Sequence, residues 1–443
     1  MLTAAVPPDP GTLFSNVDFT GSGAVVVAVS GGGDSLALLF LLHDFLRRLP
    51  ASPSLLAVTI DHGLRAESSK EAEAVGHLAA AHAIPHRILQ WKGTKPATGI
   101  SAAAREARLA LLAEAAREAG AALIFTGHTG DDQAETLAMR RERGEGRGSA
   151  GIAPATLYDN EIWFVRPLLG TRREALRACL RERGISWFED PTNQDLRFER
   201  ARMRSKLDDS SIVQLVTDAR EAAAARKHAG KKAAGLIAEA AEKIAPGLLR
   251  LRLSAFRGAE AGIYAFRILL AAAGGTPFLP DEARSSSLLA RALEQDFRAN
   301  ISRAVVQSRQ GQLYLHRELR NLPEMPAAGR FTWDGRYRMD ASTAVQGLAI
   351  APFGRKEAAD ADLSAFPAPA GLTRAALACE PAVWKGRECL GLAAASREIS
   401  ARPVVGPWAH LLPSFDLAPA RATIGLLGGD PLPPAPWHGH KEI

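Results

Sequence analysis

A glycine-rich run between an apolar segment and a helical pattern carries the strongest chemical signal in the sequence. The run Ser30-Gly31-Gly32-Gly33-Asp34-Ser35 follows the apolar stretch Val25–Val29 and opens into the apolar-periodic segment Leu36–Leu49. This order predicts a strand, a phosphate-binding loop and a helix whose N-terminus points at the anion. Glycines allow positive φ and close approach of the backbone to a ligand, and the serines add hydroxyl donors.

Pyrophosphate is the predicted ligand of this loop. The spacing of a Walker loop is absent, and no lysine lies near the turn to reach β and γ phosphates. An enzyme that binds pyrophosphate in this way usually releases it after transferring an adenylyl group. A tight structural turn without a ligand is the alternative explanation of the three glycines.

A second cluster of polar residues follows the predicted strand Leu123–Thr126. His128 lies in the loop after this strand, and Asp132 and Glu135 share one face of the helix that follows. Two carboxylates and an imidazole therefore converge on one spot, where they can hold Mg²⁺ against phosphates, orient an ammonium group or accept its protons. Acidic residues in a first helical turn also favour the helix dipole, so a structural role stays open.

Arginines near residue 105 form a third group. Arg105 and Arg108 are three residues apart on a predicted helix and can present guanidinium groups to phosphate or carboxylate. Surface ion pairs with Glu106 or Glu114 are the alternative, and spacing alone favours them. The segment Asp61-His62-Gly63-Leu64-Arg65 follows the second predicted strand, where capping of the turn by Asp61 is a sufficient explanation.

Alternating apolar runs and helical patterns predict the elements that position these groups. Strands are predicted at 25–29, 55–60, 86–90 and 123–126, and helices near 34–49, 68–83 and 100–119. Repeated strand–helix units imply an α/β fold with a doubly wound parallel sheet. In such sheets, ligands bind at the carboxyl ends of the strands where the strand order reverses. Each of the polar segments that follow the first, second and fourth predicted strands lies at such an end.

The rest of the chain is predicted to form two further regions. Residues 142–156 are a glycine-rich loop, and a capping-box pattern at Thr171 starts a helix that ends near Arg183. We expect an N-terminal catalytic domain at 1–206, a mainly helical region at 207–325 and a smaller α+β, mostly β, domain at 326–443. Within the last of these, residues 331–338 predict two strands joined by an Asp-Gly turn.

Composition bounds the class of protein. The formal charge is +6, and residues 140–206 contain 15 Arg and Lys against 10 Asp and Glu, which allows a polyanionic partner such as RNA. No apolar run is long enough to span a membrane, so we expect a cytoplasmic protein without a membrane partner.

Cys179, Cys379 and Cys389 lack the paired spacing of a metal site and disfavour sulfur transfer. A homodimer is compatible with the sequence, which does not fix the oligomeric state.

Taken together, the motifs resemble the N-type ATP pyrophosphatases and, within them, the tRNA(Ile)-lysidine synthetase family. The resemblance covers about residues 24–206. It is carried by Ser-Gly-Gly-Gly-Asp-Ser at 30–35, Asp-His-Gly-Leu-Arg at 61–65, Ala-Arg-Glu-Ala-Arg at 104–108, Gly-His-Thr-Gly-Asp-Asp-Gln-Ala-Glu-Thr at 127–136, Arg-Pro-Leu-Leu at 166–169 and Trp-Phe-Glu-Asp-Pro-Thr-Asn at 187–193. The arginines that follow, at 197, 200, 202 and 204, can line an RNA-binding groove.

The resemblance implies an activity and a set of site residues. In this family, ATP adenylates the ring carbonyl oxygen of the wobble cytidine in an isoleucine tRNA with a CAU anticodon. The ε-amine of L-lysine then displaces AMP to form lysidine, which changes the identity of the tRNA from methionine to isoleucine. Carried over, ATP binding falls on Ser30, Gly31, Gly32, Gly33, Asp34 and Ser35, a Mg²⁺ ligand on Asp34, and catalytic or substrate-binding roles on Asp34, Arg108, His128, Asp132 and Glu135.

Some positions depart from the family pattern, and two other functions compete. Leu109 stands where tyrosine is common, Ile152 where a glycine–methionine pair is usual, and the segment starting at Ile301 lacks a Leu-Gly-Gly-Cys element. One rival is an amidotransferase related to guanylate or asparagine synthetase, which the short stretch before the loop disfavours because it holds no glutaminase nucleophile. The other is a tRNA-binding module without catalysis, against which the retained acids and histidine argue.

Overall fold

The computed structural model describes residues 6–63, 67–144, 147–189, 195–257, 260–341 and 347–438. Residue contacts divide the chain into two compact units, the first formed by Met1–Arg226 and Pro433–Ile443 and the second by Lys227–Leu432. The three-domain division at residues 206 and 325 stays a prediction. No helix within the described ranges is both long and apolar enough to cross a membrane.

The first unit is built on a mainly parallel sheet. Its strands are β1 (Ala24–Ala28), β2 (Ser54–Asp61), β3 (His86–Gln90), β4 (Ala121–Phe125), β5 (Ala155–Tyr158) and β6 (Ile162–Val165). They lie in the order β5-β6-β4-β1-β2-β3, and every neighbouring pair is parallel except β5 and β6. The predicted α/β, doubly wound sheet is therefore confirmed. Strand order reverses between β1 and β4, so the loops after these two strands meet at the switch point.

Helices cover this sheet and pack their apolar faces against its strands and against one another. They are α1 (Pro10–Phe14), α2 (Gly33–Leu46), α3 (Ser68–Ala81), α4 (Ile100–Glu118), α5 (Gly130–Glu142), α6 (Arg173–Glu182), α7 (Glu199–Lys206) and α8 (Asp209–Ala240), the last of which continues into the second unit. Helix α2 packs on β1 and α6, α3 packs on β2 and β3, and α4 packs on β1, β2 and β4. The apolar run of α2 is buried from Leu36 to Leu42.

Two local features of the first unit differ from the sequence analysis. The capping box at Thr171 is wrong: α6 begins at Arg173, and its N-cap residue is Arg172, whose side chain makes no capping hydrogen bond. The antiparallel pair β5–β6 was not predicted. Its turn contains Asp159 at φ 48° and Asn160 at φ 55°, the two successive left-handed residues that a tight hairpin turn requires.

The second unit contains antiparallel sheets and further helices. Its strands are β7 (Ala241–Ala245), β8 (Leu248–Arg252), β9 (Phe297–Ile301), β10 (Ala304–Arg309), β11 (Gln312–Arg317), β12 (Met325–Pro326), β13 (Gly329–Trp333), β14 (Tyr337–Ala341), β15 (Leu348–Pro352), β16 (Pro381–Lys385), β17 (Glu388–Leu392), β18 (Ile399–Pro403) and β19 (Leu411–Pro413). Its helices are α9 (Glu260–Gly274), α10 (Glu282–Glu294), α11 (Arg355–Asp360), α12 (Ala370–Leu377) and α13 (Leu417–Leu427).

Strands β7 to β18 form three sheets, in the orders β7-β8-β11-β10-β9, β12-β15-β16-β17 and β13-β14-β18. The predicted Asp-Gly hairpin is confirmed as β13–β14, with Asp334 at φ 52° and Gly335 at φ 66°. The range 207–325, predicted to be mainly helical, contains α8, α9 and α10. It also carries β7–β11, which the sequence analysis did not predict.

Candidate active site

The glycine-rich loop has the shape of an anion site. Gly31 adopts φ 83°, so the left-handed conformation expected of this run falls on one glycine. The Ser30 N–H donates to Ser35 Oγ at 3.1 Å, and Ser35 Oγ donates to the Gly32 carbonyl at 2.9 Å, which closes the turn. Gly32 is the N-cap of α2, and no described side chain caps the helix, so its first N–H groups face the loop.

A glycine in the loop after β4 lets the two halves of the site approach each other. A Cβ atom on Gly127 would lie 3.0 Å from the Asp34 carbonyl oxygen and 3.1 Å from Ser35 Cα. Both neighbours are backbone atoms, which have little room to move. Gly127 is therefore required by close packing, and it brings His128 and α5 beside the phosphate loop.

One arginine joins the carboxylates of the site. Arg173 Nε donates to Asp34 Oδ2 at 3.1 Å, Nη2 donates to Asp132 Oδ1 at 3.3 Å, and Nη1 donates to Glu135 Oε1 at 3.5 Å. Its backbone N–H donates to Asp131 Oδ2 at 2.8 Å, which fixes the start of α6. The predicted acids Asp34, Asp132 and Glu135 are thus brought together around a single guanidinium group.

Helix α7 supplies two more cations to the most buried acid. Arg200 Nε donates to Glu135 Oε2 at 2.8 Å, and Arg204 Nε donates to Glu135 Oε1 at 2.7 Å. The Glu135 side chain is only 2% exposed. Burial of a carboxylate is costly unless it is paired and hydrogen-bonded, and here three arginines meet that requirement.

Charge and burial set the protonation of the acids. Burial raises the pKa of Asp34 to about 6, which the contact with Arg173 only partly offsets. Burial acts in the same direction on Asp132, but Arg173, Arg200 and the Thr129 N–H outweigh it and hold the pKa of that carboxyl below its usual value. Asp132 is therefore a carboxylate at neutral pH, whereas Asp34 titrates close to it.

His128 lies on the basic side of the site. Its Nδ1 is 3.1 Å from Thr126 Oγ1. Burial, with further contributions from Arg166 and Arg108, lowers the pKa of His128 well below its usual range, so the imidazole is neutral at pH 7. A neutral imidazole can donate or accept a hydrogen bond but supplies no positive charge.

Arg108 is not in contact with the acids. Burial, together with Arg105 and Arg200, lowers the pKa of the Arg108 guanidinium. No hydrogen bond or ion pair joins it to another described residue, so the alternative pairing with Glu106 or Glu114 is not seen for Arg108. A guanidinium among other cations is a favourable position for an anionic ligand.

In the segment after β2, local hydrogen bonds account for the position of Asp61. Asp61 accepts hydrogen bonds from Ser68 Oγ at 2.6 Å, Ser69 Oγ at 2.7 Å and the Gly63 N–H at 2.9 Å. These bonds tie the strand end to the start of α3, as the capping alternative predicts. Leu64 and Arg65 lie outside the described residues.

Two aromatic residues pack against the phosphate loop. The Phe188 N–H donates to the Gly31 carbonyl at 3.0 Å, and a Cβ on Gly31 would lie 3.0 Å from the Phe188 ring. The Trp187 ring lies 3.4 Å from the Cβ position of Gly33. The Trp-Phe motif therefore packs on the loop, while Asp190–Asn193 of the same motif lie outside the described residues.

The arginine partners of the acids are the functional residues that the sequence analysis missed. The sequence analysis predicts that Arg200 and Arg204 line an RNA-binding groove, and it gives Arg173 no role. Basic residues in the first turn of a helix oppose its dipole, so the Arg172-Arg173 pair at the start of α6 was a signal for nearby acids. Arg172 meets that expectation too, because its Nε donates to Asp131 at 3.3 Å.

Comparisons with known proteins show the family of the chain. A PP-loop domain model matches residues 11–210. The chain is 50% identical over 98% of its length to tRNA(Ile)-lysidine synthase of Mesorhizobium japonicum, covering 98% of that protein. It is 37% identical to tRNA(Ile)-lysidine synthase of Brucella canis, over 91% of this chain and 94% of the relative.

Among solved structures, the U34-tRNA thiolase NcsA from Methanococcus maripaludis with its [4Fe-4S] cluster matches at a TM-score of 0.42 and 16% identity, over 48% of this chain and 77% of that chain. The near-complete coverage of the curated relatives means that the similarity extends through both units, beyond the motif-bearing half. The chain belongs to the tRNA(Ile)-lysidine synthase family of PP-loop, ATP-using enzymes.

Proposed function

We propose that this protein ligates L-lysine to the wobble cytidine of an isoleucine tRNA with a CAU anticodon, consuming ATP and releasing AMP and pyrophosphate. The family membership and the motifs support this proposal. The observation that carries it is the meeting of the pyrophosphate loop and the Asp132–Glu135 pair through Arg173. Nucleotide and amine are bound by the same small region, as a two-step transfer requires.

Asp34 fits the role of a Mg²⁺ ligand. Its Oδ1 is buried and accepts no hydrogen bond from the described residues, although Oδ2 is bound by Arg173. The described residues form no cluster of three or more His, Cys, Asp or Glu side chains suited to a metal. Mg²⁺ commonly takes one or two protein carboxylates and completes its shell with phosphate oxygens and water. When bound, the ion would neutralise charge on the pyrophosphate leaving group.

The first step is adenylation of the cytidine. The ring carbonyl oxygen attacks the α-phosphorus of ATP, a new phosphorus–oxygen bond forms, and pyrophosphate leaves with the bonding electrons. The N-terminus of α2 and the N–H groups of the loop stabilise the departing charge. Arg108, which has no described anionic partner, is positioned to bind phosphate charge on the nucleotide or the RNA.

The second step is displacement of AMP by the amine. The nitrogen of lysine attacks the activated ring carbon, the bond to AMP breaks, and the excess protons of the ammonium group must be removed. Asp132, a carboxylate at neutral pH, is the better candidate to bind the ammonium and accept a proton, because it pairs with two arginines and its side chain is 13% exposed, whereas Glu135 pairs with three and is 2% exposed. Glu135 is held by three arginines and acts chiefly by fixing them.

Direct reconstitution tests the function. The protein is incubated with ATP, labelled lysine and an unmodified transcript of the isoleucine tRNA. We expect label to enter the RNA in equal amount to the AMP formed, and no label in a methionine tRNA transcript with the same anticodon. Incorporation of ammonia or sulfur in place of lysine, or hydrolysis of ATP to ADP, would contradict the proposal.

A further inference from the structure

Arg173 has a geometry that no other described arginine of the site shares. Each nitrogen of its guanidinium group donates to a different carboxylate, those of Asp34, Asp132 and Glu135. Its side chain is 16% exposed. Because the guanidinium group is planar and its donor directions are fixed, it holds its partners at set positions relative to one another. The ammonium group of a lysine, on a flexible stem, does not.

The three acids differ in the number of arginines that pair with them. Glu135 keeps Arg200 and Arg204 when Arg173 is removed, and Asp132 keeps Arg200 at 3.4 Å. Among the described residues, Arg173 is the only cation within ion-pair distance of Asp34. Loss of Arg173 therefore separates the phosphate loop from the acids of α5, while the acids themselves stay paired.

We propose that Arg173 is a positioning residue that locks the Asp34 carboxylate to the Asp132–Glu135 pair, so that the nucleotide and the amine are held in one reactive geometry. The inference rests on the proposed function, because it assigns Arg173 to the two steps of that reaction. Its anchor is independent of the substrates: the Arg173 backbone N–H is bound by Asp131, which Arg172 also holds.

The test compares Arg173→Gln and Arg173→Lys with a matched control on the same helix. Arg181 pairs with Glu174 at 2.5 Å, and both side chains are more than half exposed, so Arg181→Gln is the control. Adenylation is measured without lysine as ATP–pyrophosphate exchange, and lysine transfer is measured separately. Binding of a non-hydrolysable ATP analogue and the Tm are measured on the same samples.

We expect Arg173→Gln to lower kcat of both steps by about 100-fold, the cost of a misplaced reacting group. ATP-analogue affinity should change by less than about tenfold, because the glycine loop is intact. Arg173→Lys should recover only part of the rate, and Arg181→Gln should match the wild type. Rates within threefold of the wild type in Arg173→Gln would overturn the inference.

A double-mutant cycle covers the case in which Arg173→Gln is poorly folded. If Arg173 acts through Asp34, then Asp34→Asn should raise the Tm by more in the Arg173→Gln background than in the wild type, because there it removes a buried carboxylate that has lost its cation. An equal change of Tm in the two backgrounds would show that Arg173 and Asp34 are not coupled and would overturn the inference. A wild-type protein that forms no lysidine refutes the proposed function, whereas a lysidine-forming Arg173→Gln variant refutes only this inference.

Discussion

Thr129 and Asp132 cap the N-terminus of α5 reciprocally. The Asp132 Oδ2 atom accepts from the Thr129 N–H at 2.8 Å and from Thr129 Oγ1 at 2.9 Å, and Thr129 Oγ1 accepts from the Asp132 N–H at 3.3 Å. The remaining oxygen, Oδ1, faces Arg173 at 3.3 Å. One carboxylate therefore both starts the helix and belongs to the active site, which joins the folding of α5 to the chemistry.

Asp132→Asn separates these two roles. The asparagine oxygen can still accept from Thr129, but its amide nitrogen then faces the guanidinium of Arg173, so two donors meet. We expect lysine transfer to fall at least about 100-fold and the free energy of unfolding to fall by only about 1 kcal/mol, the scale of a weakened cap. Steady-state transfer assays and urea unfolding measure the two effects.

Glu142→Gln is the control for this prediction. Glu142 lies at the other end of α5, is 52% exposed and pairs with Lys206 at 3.3 Å. Exposed pairs of this kind contribute little to stability. A transfer rate in Asp132→Asn equal to that of Glu142→Gln would remove Asp132 from the site.

Asp34→Asn should stabilise the fold while it abolishes adenylation. The pKa of Asp34 is about 6 in the folded protein against an ordinary aspartate value of 3.8, so the folded state holds more protons between these two values. Stability is therefore lost as the pH rises through this window, and the penalty is complete above pH 6. By linkage it is about 2–3 kcal/mol.

The measurement is urea unfolding of the wild type and Asp34→Asn at several pH values. We expect the variant to exceed the wild type by the greatest margin at pH 7 and above, with the margin shrinking toward pH 4. A margin independent of pH would show that burial of the Asp34 charge is not the cause. If Asp34 holds Mg²⁺ as proposed, we expect activity to be lost at every pH, because a neutral amide is a weaker ligand for Mg²⁺ than a carboxylate.

Arg200 and Arg202 lie two residues apart on α7 but have different partners. Arg200 binds Glu135 at 2.8 Å, whereas Arg202 donates to the backbone carbonyls of Leu196 and Arg197, both at 2.9 Å. We expect Arg200→Gln to lower kcat about tenfold or more, because it loosens a buried acid pair. Arg202→Gln should leave kcat unchanged and raise KM for the tRNA, with a weaker dependence on salt.

Kinetics of both variants over a range of tRNA and salt concentrations separate the two roles. The same KM effect in both variants, without a change in kcat, would return Arg200 to the RNA-binding groove predicted from the sequence. That outcome would also weaken the assignment of Glu135 to the site.

The sequence was sufficient to predict the sheet and the loops at its switch point. Buried parallel strands read as continuous apolar runs, and Val25–Val29 is such a run. The glycine run at 31–33 predicted a left-handed residue, which the structure places at Gly31. These signals are local in the chain and can be read without the tertiary structure.

The partners of the acids could not be predicted in the same way. Arg173 is 139 residues from Asp34 and 38 from Glu135, so no spacing rule connects them. The short antiparallel strands of the second unit were also missed, because strands of about five residues with mixed burial carry a weak periodic signal. Long-range charge pairing and sheet pairing are set by the fold as a whole.

Gly127→Ala should move the two loops of the site apart. The added methyl group would lie 3.0 Å from the Asp34 carbonyl oxygen, which belongs to the backbone of α2. We expect a loss of about 1–3 kcal/mol in unfolding free energy, typical of overpacking, and weaker binding of ATP. Gly235→Ala is the control, because nothing lies within 4 Å of that Cβ position in α8 and the change should be neutral or stabilising.

Asp334 should be the most sensitive position of the second unit. It lies in the turn between β13 and β14, its side chain is 0% exposed, and it binds Arg303, Arg317 at 3.0 Å and Arg336 at 2.8 Å. Asp334→Asn removes the negative charge and leaves these guanidinium groups without an anion at the turn. Removal of one member of a buried ionic network costs about 3–5 kcal/mol.

Asp340→Asn is the matched control, because Asp340 is half exposed and pairs with Arg330 at 3.1 Å, so less than about 1 kcal/mol is expected. Urea unfolding measures both variants. Arg336 also binds Glu380 at 2.7 Å, so the loss of stability in Asp334→Asn should extend to the paired strands β15 and β16. We expect the second unit of this variant to show no cooperative unfolding transition of its own. Equal stability of the two variants would show that the network contributes no more than a surface pair.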